Sequence, residues 1–321
     1  MNSIIVTGGA GYIGSKIVFD LIKNKKKVIV IDNLSTGYKR LVSRKAKFYK
    51  INFSSNKIRS IIEKYNVDTI IHCAASTNVT ESNKNKKKYF LNNVHRTKIL
   101  LNNLKKKKIK NFIYSSTCAV YGNVNKNVNE KTKVKPNNYY GITKLKAEKI
   151  IKKYSKKIGY KYGILRYFNV AGSDNKNKIG IYKNNGQLIK NIAISIKKKR
   201  YSVNIFGNNY NTKDGTCIRD FIHISDISFI HLLALKKINL NRKNLLLNRG
   251  YRKGFSILKV INIFEKLTKA KLKKNIKQKR TGDIVRMVSN NYNLKKVLKF
   301  KNRYTIEDII KSSLIWETNR W

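Results

Sequence analysis

The sequence predicts an α/β fold, with a doubly wound parallel sheet and a smaller mixed α/β domain toward the C-terminus. Three observations support this prediction. In the first half of the chain, short runs rich in β-branched residues alternate with longer amphipathic runs, which is typical of parallel strands joined by helical crossovers. The predicted strands are almost entirely apolar, as expected for a sheet covered on both faces. The 321 residues are also enough to bury a large core.

The first half of the chain supplies the predicted sheet. A glycine-rich turn separates a first strand, Ser3–Thr7, from a helical pattern over Tyr12–Lys23. Further apolar runs of four to seven residues alternate with amphipathic stretches. The other predicted strands are Val28–Asp32, Phe48–Ile51, Asp68–Cys73, Asn111–Ser115 and Tyr160–Arg166, and the other predicted helices are Lys57–Tyr65, Tyr89–Leu104 and Tyr140–Ser155.

The pattern loosens after about residue 172, where the polar stretch Asn175–Gly186 predicts a loop. We expect one domain over residues 1–171, with a return segment near 217–236, and a second over 172–216 and 237–321. The predicted later elements are Gln187–Lys198, Ser202–Phe206, Ile224–Leu235, Ser256–Lys266 and Thr305–Trp316. No Pro/Gly/Ser-rich linker separates the two parts.

The charge of the chain is strongly positive. It has 72 Lys and Arg against 16 Asp and Glu, a net charge of +56. A disordered basic tail is excluded, because 41% of the residues are apolar. A polyanion-binding protein and an enzyme with a cationic surface both remain open. The lysine runs fall in predicted loops and helix ends without interleaved aromatic residues, so we expect no specific nucleic-acid partner.

The cysteines and the apolar runs predict a cytoplasmic protein. Cys73, Cys118 and Cys217 are odd in number, far apart and without metal-site spacing, which favours a reducing compartment and predicts no metal. The N-terminus lacks the pattern of a signal peptide. No apolar run approaches the roughly 20 residues that span a bilayer, so no membrane association is expected.

A glycine pattern after the first strand predicts a dinucleotide site. Gly8, Gly11 and Gly14 form G-x-x-G-x-x-G between a strand and a helix. Such glycines permit a tight turn and bring backbone N–H groups and a helix N-terminus to a pyrophosphate. Asp32 ends the next strand, 18 residues after Gly14. A carboxylate there accepts the ribose hydroxyls and repels a 2′-phosphate, which predicts NAD rather than NADP.

A tyrosine and a lysine predict proton-transfer chemistry. Tyr140 and Lys144 are four residues apart on a predicted helix and therefore share one face. A nearby ammonium, joined by the positive nicotinamide ring of NAD, should lower the pKa of the phenol, as a general base requires. Thr117 lies at the carboxyl end of the fifth strand, the edge where ligands gather in such sheets, and its hydroxyl could orient a substrate hydroxyl.

These motifs resemble the extended short-chain dehydrogenase/reductases, which have a Rossmann fold. The shared features are the glycine fingerprint, the segment SSTCAVYG at 115–122 and the Tyr140–Lys144 pair. Segments DNLSTG (32–37), LRYFNVAG (165–172), IFGNNY (205–210) and DGTCIRDFIHISD (214–226) are similar to those of UDP-glucose 4-epimerases. The likeness extends from residue 3 to about residue 300.

The resemblance implies roles for residues across the chain. Tyr140 would be the base, Lys144 its partner and a ribose ligand, and Thr117 the group that orients the sugar. The implied NAD-binding residues are Gly8, Gly11, Tyr12, Ile13, Gly14, Asp32, Asn33, Asn52, Phe53, Cys73, Ala74, Asn92, Ser115, Tyr140, Lys144 and Phe168. The implied substrate-binding residues are Thr117, Asn169, Gln187, Leu188, Asn204, Phe206, Arg219, Arg280, Asp283 and Met287.

The activity implied by the resemblance is NAD-dependent interconversion of UDP-glucose and UDP-galactose. C4 would be oxidised, the 4-keto sugar would rotate, and hydride would return to its other face. Two departures from the family matter: Asn52 stands at a usual Asp, and Met287 occupies the position thought to decide whether an N-acetyl group fits. UDP-GlcNAc/UDP-GalNAc epimerisation therefore stays open.

Two further alternatives have less support. A nucleotide-sugar 4,6-dehydratase would need the Asp-Glu pair that this family places after the threonine, but Cys118 and Ala119 follow Thr117. A catalytically inactive basic protein on the same fold is suggested by the charge alone. The resemblance also implies a homodimer, formed by the helices predicted at Tyr89–Leu104 and Tyr140–Ser155.

Overall fold

The computed structural model describes residues 2–124, 126–184, 186–280 and 282–319. They form two compact units, each built from three separated stretches of chain. The first unit contains the chain up to Val120, Pro136–Arg166 and Ser228–Leu247. The second contains Tyr121–Lys135, Tyr167–Ile227 and the chain from Asn248. The domain bounds expected from the sequence stay a prediction.

A seven-stranded sheet organises the fold. Its strands lie in the order β10 (Leu245–Arg249), β6 (Lys161–Tyr167), β5 (Asn111–Thr117), β4 (Val67–His72), β1 (Ser3–Thr7), β2 (Val28–Ile31) and β3 (Lys47–Tyr49). The strand order reverses direction between β1 and β4, as in a doubly wound sheet. The pairs β1–β2, β2–β3, β1–β4 and β4–β5 are parallel. The predicted fold class is confirmed. In chain order the strands are β1 Ser3–Thr7, β2 Val28–Ile31, β3 Lys47–Tyr49, β4 Val67–His72, β5 Asn111–Thr117, β6 Lys161–Tyr167, β7 Asn169–Ala171, β8 Ser202–Phe206, β9 Ile218–His223, β10 Leu245–Arg249, β11 Gly254–Ser256, β12 Lys273–Lys277 and β13 Arg286–Met287.

The helices of the first unit bury apolar faces against this sheet. Ile17, Leu21 and Ile151 are at most 1% exposed, and their spacing along the helices matches an amphipathic pattern. The α-helices are α1 Tyr12–Lys23, α2 Ile58–Lys64, α3 Val79–Lys84, α4 Lys86–Phe90, α5 Arg96–Asn103, α6 Tyr139–Ile158, α7 Leu188–Lys197, α8 Ile224–Asn241, α9 Ile257–Thr268, α10 Tyr292–Leu298 and α11 Ile306–Asn319.

One predicted helix contains a π-helical turn. The sequence predicted a helix over Tyr89–Leu104, and the backbone there stays helical through α4, a π-helical turn at Leu91–His95 and α5. Asn93 lies in this turn, and its side chain accepts from the N–H of Ser76 at 2.8 Å and donates to Thr143 Oγ1 at 3.1 Å. The wider turn thus accommodates an amide that ties the helix pair to α6.

The second unit contains two smaller sheets. β11, β9, β13 and β7 form a four-stranded sheet, and β12 pairs with β8 in parallel. α11 packs against α7, α9, β7 and β9 and is therefore central to this unit. The sequence predicted β8 correctly but not β7, β9 or β11–β13, all of which are two to six residues long.

The described residues, 2–124, 126–184, 186–280 and 282–319, contain neither a membrane-spanning helix nor a metal-binding cluster. No helix in those ranges is long and apolar enough to cross a membrane. Within the same residues, no group of three His, Cys, Asp or Glu side chains is arranged to hold a metal ion.

Candidate functional site

The glycine turn between β1 and α1 brings backbone segments closer than side chains would allow. Gly8 has a positive φ of 70°, and a Cβ there would lie 2.6 Å from the backbone N of Ala74. A Cβ on Gly14 would lie 2.2 Å from the carbonyl O of Gly8. The first turn of α1 therefore packs directly on the turn that precedes it, which only glycine permits.

The N-terminus of α1 can receive an anion. Gly11 is the N-cap and provides no side-chain cap, and no acidic residue lies in the first turn. The N–H groups of Tyr12, Ile13 and Gly14 begin the helix, where backbone donors have no intrahelical acceptor. These donors and the helix dipole suit a pyrophosphate, so the residues present fit the phosphates of NAD.

Asp32 holds the turn in place from the end of β2. Its carboxylate accepts the N–H of Ala10 at 3.0 Å and the N–H of Leu34 at 2.8 Å. Burial raises the pKa of Asp32, and these two hydrogen bonds oppose the increase. Asp32 thus shapes the glycine turn as well as lying where the resemblance places a ribose ligand.

Other predicted cofactor residues lie in the same unit. Cys73 follows β4, Ser115 lies two residues before the end of β5, and Ser115 Oγ donates to Cys73 Sγ at 3.1 Å. Asn92 donates to Ser76 Oγ at 3.1 Å, and Phe53 meets the ring of His72 edge-on. Asn52 accepts from both the N–H and the hydroxyl of Ser54, and Asn33 accepts from Ser35. Phe168 belongs to the second unit, where its N–H donates to the carbonyl of Arg249 at 3.1 Å.

The predicted catalytic residues meet in the first unit. Tyr140 and Lys144 lie on successive turns of α6, and Thr117 is the last residue of β5. The Thr117 hydroxyl hydrogen-bonds to the Tyr140 phenol, and it accepts the N–H of Ala119 at 3.2 Å. The Nζ atom of Lys144 lies 4.2 Å from the centre of the Tyr114 ring. Lys144 is 2% exposed.

The expected lowering of the Tyr140 pKa is not produced by this chain alone. Burial raises the pKa of Tyr140 above its usual value, and the hydrogen bond from Thr117 opposes the increase only in part. The expected lowering also requires the positive charge of a bound nicotinamide ring, so it stays a prediction. Burial also lowers the pKa of Lys144 to about 7, while Cys73 and Glu148 raise it.

A buried carboxylate beside this centre, Glu148, was not predicted from the sequence. Glu148, one turn after Lys144, accepts from Ser116 Oγ at 2.5 Å and from Arg166 Nε and Nη2 at 3.0 and 2.7 Å. Arg166 and Glu148 are 4% and 1% exposed in their side chains. Glu148 is four residues after Lys144, and this spacing, which places both side chains on one helix face, could have indicated it.

In the second unit, several predicted substrate residues are linked. Arg219 and Met287 are paired between β9 and β13, and Arg219 lies 3.7 Å from the carboxylate of Asp283. The guanidinium of Arg280 stacks 3.6 Å from the centre of the Phe206 ring. The N–H of Asp283 donates to the carbonyl of Arg280 at 3.1 Å, which connects the two groups.

The remaining predicted substrate residues lie on neighbouring elements. Asn169, on β7, is paired with Phe221 of β9. Asn204 is on the same strand as Phe206 and shares a face with it, since the two are two positions apart in a strand. Gln187 and Leu188 are the N-cap and first residue of α7, which packs against β8.

The chain matches a described protein family over most of its length. Residues 4–250 match the NAD dependent epimerase/dehydratase family. The chain belongs to this family. The expected NAD cofactor is therefore confirmed.

The predicted isomerase and the predicted resemblance to UDP-glucose 4-epimerases are confirmed by relatives that match the chain over nearly its full length. The UDP-glucose 4-epimerase of Lactobacillus helveticus is 36% identical and covers 98% of this chain, which spans 96% of that protein. The structure of UDP-glucose 4-epimerase from Brucella ovis in complex with NAD is 32% identical, with a TM-score of 0.93 over 99% of both chains. The UDP-Glc/GlcNAc 4-epimerase structure from Campylobacter jejuni is 36% identical, with a TM-score of 0.84 over 99% of both chains.

Proposed function

We propose that the protein interconverts UDP-glucose and UDP-galactose by reversible oxidation at C4 of the sugar. The hydrogen bond between Thr117 and the Tyr140 phenol carries the proposal, because it pairs a proton acceptor with a hydroxyl that can orient a sugar. The family membership and the full-length similarity to the L. helveticus enzyme, which is named UDP-glucose 4-epimerase, support it.

The glycine turn and α1 hold the cofactor in this proposal. The α1 N-terminus binds the pyrophosphate, and Asp32 accepts the adenosine ribose hydroxyls. Cys73, Ala74 and Ser115 lie at the carboxyl edge of the sheet, beside the catalytic residues. NAD bound there would supply a hydride acceptor for C4, and return of the hydride to the opposite face of the 4-keto sugar, after that sugar has turned, would give the epimer.

Tyr140 moves the proton of the sugar 4-hydroxyl. Its phenolate needs stabilisation, because burial raises its pKa. The Thr117 hydroxyl stabilises the charge by hydrogen bonding, and a protonated Lys144 one turn along α6 adds a positive charge to the buried site. The same tyrosine returns the proton when the hydride comes back.

The second unit binds the nucleotide sugar in this proposal. Arg219 and Arg280 suit a diphosphate, because a guanidinium can donate two parallel hydrogen bonds to phosphate oxygens. Asp283, beside Arg219, would accept the uridine ribose hydroxyls. Gln187, Leu188, Asn204 and Phe206 would surround the base, with Asn169 and Met287 closer to the sugar.

N-acetylated sugars are a second candidate substrate pair. The C. jejuni structure, 36% identical, is named a UDP-Glc/GlcNAc 4-epimerase. Met287 is 2% exposed, and its flexible side chain can repack around a larger group. An activity assay on both sugar pairs decides between the two.

We also propose a cytoplasmic homodimer. Phe90 and Leu91, at the junction of α4 and the π turn, are 40% and 43% exposed, and Lys146 of α6 lies over the Phe90 ring at 5.3 Å. This apolar pair faces away from the core on the helices that the resemblance assigns to the dimer. The three cysteines are free thiols, as suits a reducing compartment.

Replacing Tyr140 with Phe tests the proposed function. We expect Tyr140→Phe to reduce kcat on both sugar pairs by about 10²-fold or more, because it removes the proton-transferring oxygen. Bound NAD and melting temperature should be unchanged. Tyr139→Phe is the matched control, since it alters the neighbouring tyrosine on the same helix and should keep wild-type kcat. Wild-type activity of Tyr140→Phe would contradict the proposal.

A further inference from the structure

A buried ion pair joins the start of α7 to the last helix. Lys190, in the first turn of α7, and Glu317, near the end of α11, are 1% and 2% exposed in their side chains. Lys190 Nζ donates to Glu317 Oε1 at 2.5 Å and also to the carbonyl oxygen of Ile181. A buried ammonium needs such acceptors, since an unpaired buried charge is strongly unfavourable.

The carbonyl of Ile181 is held from a second side by α11. Trp316 Nε1 donates to the same oxygen at 3.1 Å. The Trp316 ring lies against Gly180, where a Cβ would come within 2.3 Å of the indole. Trp316, Glu317 and Lys190 together fix the backbone at residues 180 and 181.

These contacts close the base of a loop. Ile181 and Lys190 are nine residues apart, and the described residues between them are 182–184 and 186–189, which include Gln187 and Leu188. Asn184 Nδ2 adds a bridge to Asn191 Oδ1 at 2.7 Å. Gln187 is the N-cap of α7 and Leu188 is its first residue.

We propose that Lys190 and Glu317 are positioning residues for the nucleotide sugar. They tie the loop base to α11 and so hold Gln187 and Leu188 where the base of the nucleotide binds. The inference rests on the proposed function of the second unit, and it assigns a role in substrate affinity to the C-terminal helix. Neither residue touches the reacting atoms, so their loss should affect KM rather than kcat.

Three variants separate positioning from stability. Lys190→Met and Glu317→Met each leave one buried charge without its partner, and both should lower the melting temperature. The double variant Lys190→Met/Glu317→Met removes both charges and should recover most of that stability, because apolar residues often replace a buried ion pair at little loss. It still lacks the tie to the Ile181 carbonyl.

We expect the double variant to keep wild-type kcat and bound NAD. Its KM for UDP-glucose and its Kd for UDP should each rise about tenfold, because ligand binding must then order the loop. Lys274→Met/Glu265→Met, which removes an exposed ion pair of the same unit, is the matched control and should keep wild-type KM. Calorimetric titration with UDP measures Kd without turnover.

Wild-type KM and Kd in the double variant would overturn the inference while leaving the proposed function intact. Wild-type protein that neither binds UDP nor epimerises UDP-glucose would contradict the proposed function, and the inference with it.

Discussion

Lys144 and Glu148 occupy successive turns on the buried face of α6, and the charge of Glu148 affects the pKa of Lys144. Burial lowers the pKa of Lys144 to about 7, and the negative charge of Glu148 partly offsets this. In the proposed mechanism only the protonated lysine stabilises the Tyr140 phenolate. The pH at which Lys144 loses its proton should therefore set the alkaline limit of activity.

Glu148→Gln should move that limit to lower pH. Removing the carboxylate charge lowers the pKa of Lys144 further, so activity should begin to fall about one pH unit earlier on the alkaline side. A kcat–pH profile measures the shift. Glu63→Gln, which changes an exposed carboxylate in the same unit, should leave the profile unchanged. An unshifted alkaline limb in Glu148→Gln would show that Lys144 does not set it.

The residues of the site were partly predictable from the sequence. The spacing of the motifs implied the geometry of Gly8, Gly14 and Asp32. It also implied that Tyr140 and Lys144 share a helix face, and the structure places Thr117 beside that face. The effect of burial on Tyr140 was not predictable, because desolvation depends on how neighbouring elements cover the phenol. Glu148 was missed for a related reason, since its partner Arg166 is 18 residues away.

Among the secondary-structure elements, the predicted and observed bounds agree best in the central strands. β1 matches its prediction at both ends, and β4 differs by one residue at each end. Because these runs are apolar and bounded by polar residues, the ends of the strands can be located from the sequence. The short strands β11 and β13 have two or three residues, too few for any periodicity, and their pairing depends on contacts with β9.

Gly14→Ala should abolish NAD binding by disrupting the packing of α1 on the glycine turn. The new methyl group would overlap the Gly8 carbonyl, forcing the helix N-terminus away from the turn. We expect the variant to be purified without bound NAD, measured by absorbance after acid denaturation.

Gly159→Ala is the control for this element-scale prediction. Gly159 ends α6 with a φ of 91° and has open space around it. Alanine there should lower stability by about 1 kcal/mol through backbone strain alone, while NAD stays bound. A full complement of NAD in Gly14→Ala would contradict the predicted role of the glycine turn.

At the scale of the whole molecule, the net charge of +56 acts mainly on stability. The residues of the proposed site include few of the lysines, and exposed runs such as Lys105–Lys108 carry much of the excess. Like charges on one surface repel each other and favour the expanded, unfolded chain. Salt reduces this repulsion, because it shortens the screening length.

The melting temperature should therefore rise as salt increases from about 0.01 M to about 1 M, over which the screening length falls roughly tenfold. Lys105→Glu/Lys108→Glu, which lowers the net charge in one exposed run, should reduce the slope. Thermal denaturation monitored by circular dichroism provides both values. A melting temperature independent of salt would argue against self-repulsion.

The interleaving of the two units has a consequence for biosynthesis. The first unit is complete only when Ser228–Leu247 has been made, and the second only when the chain beyond Asn248 has followed. A nascent chain leaving the ribosome must therefore hold most of β1–β6 without the last strand of the sheet. An unpaired strand edge is a template for aggregation. The nascent chain should therefore be most prone to aggregation until β10 has been made and can pair with β6.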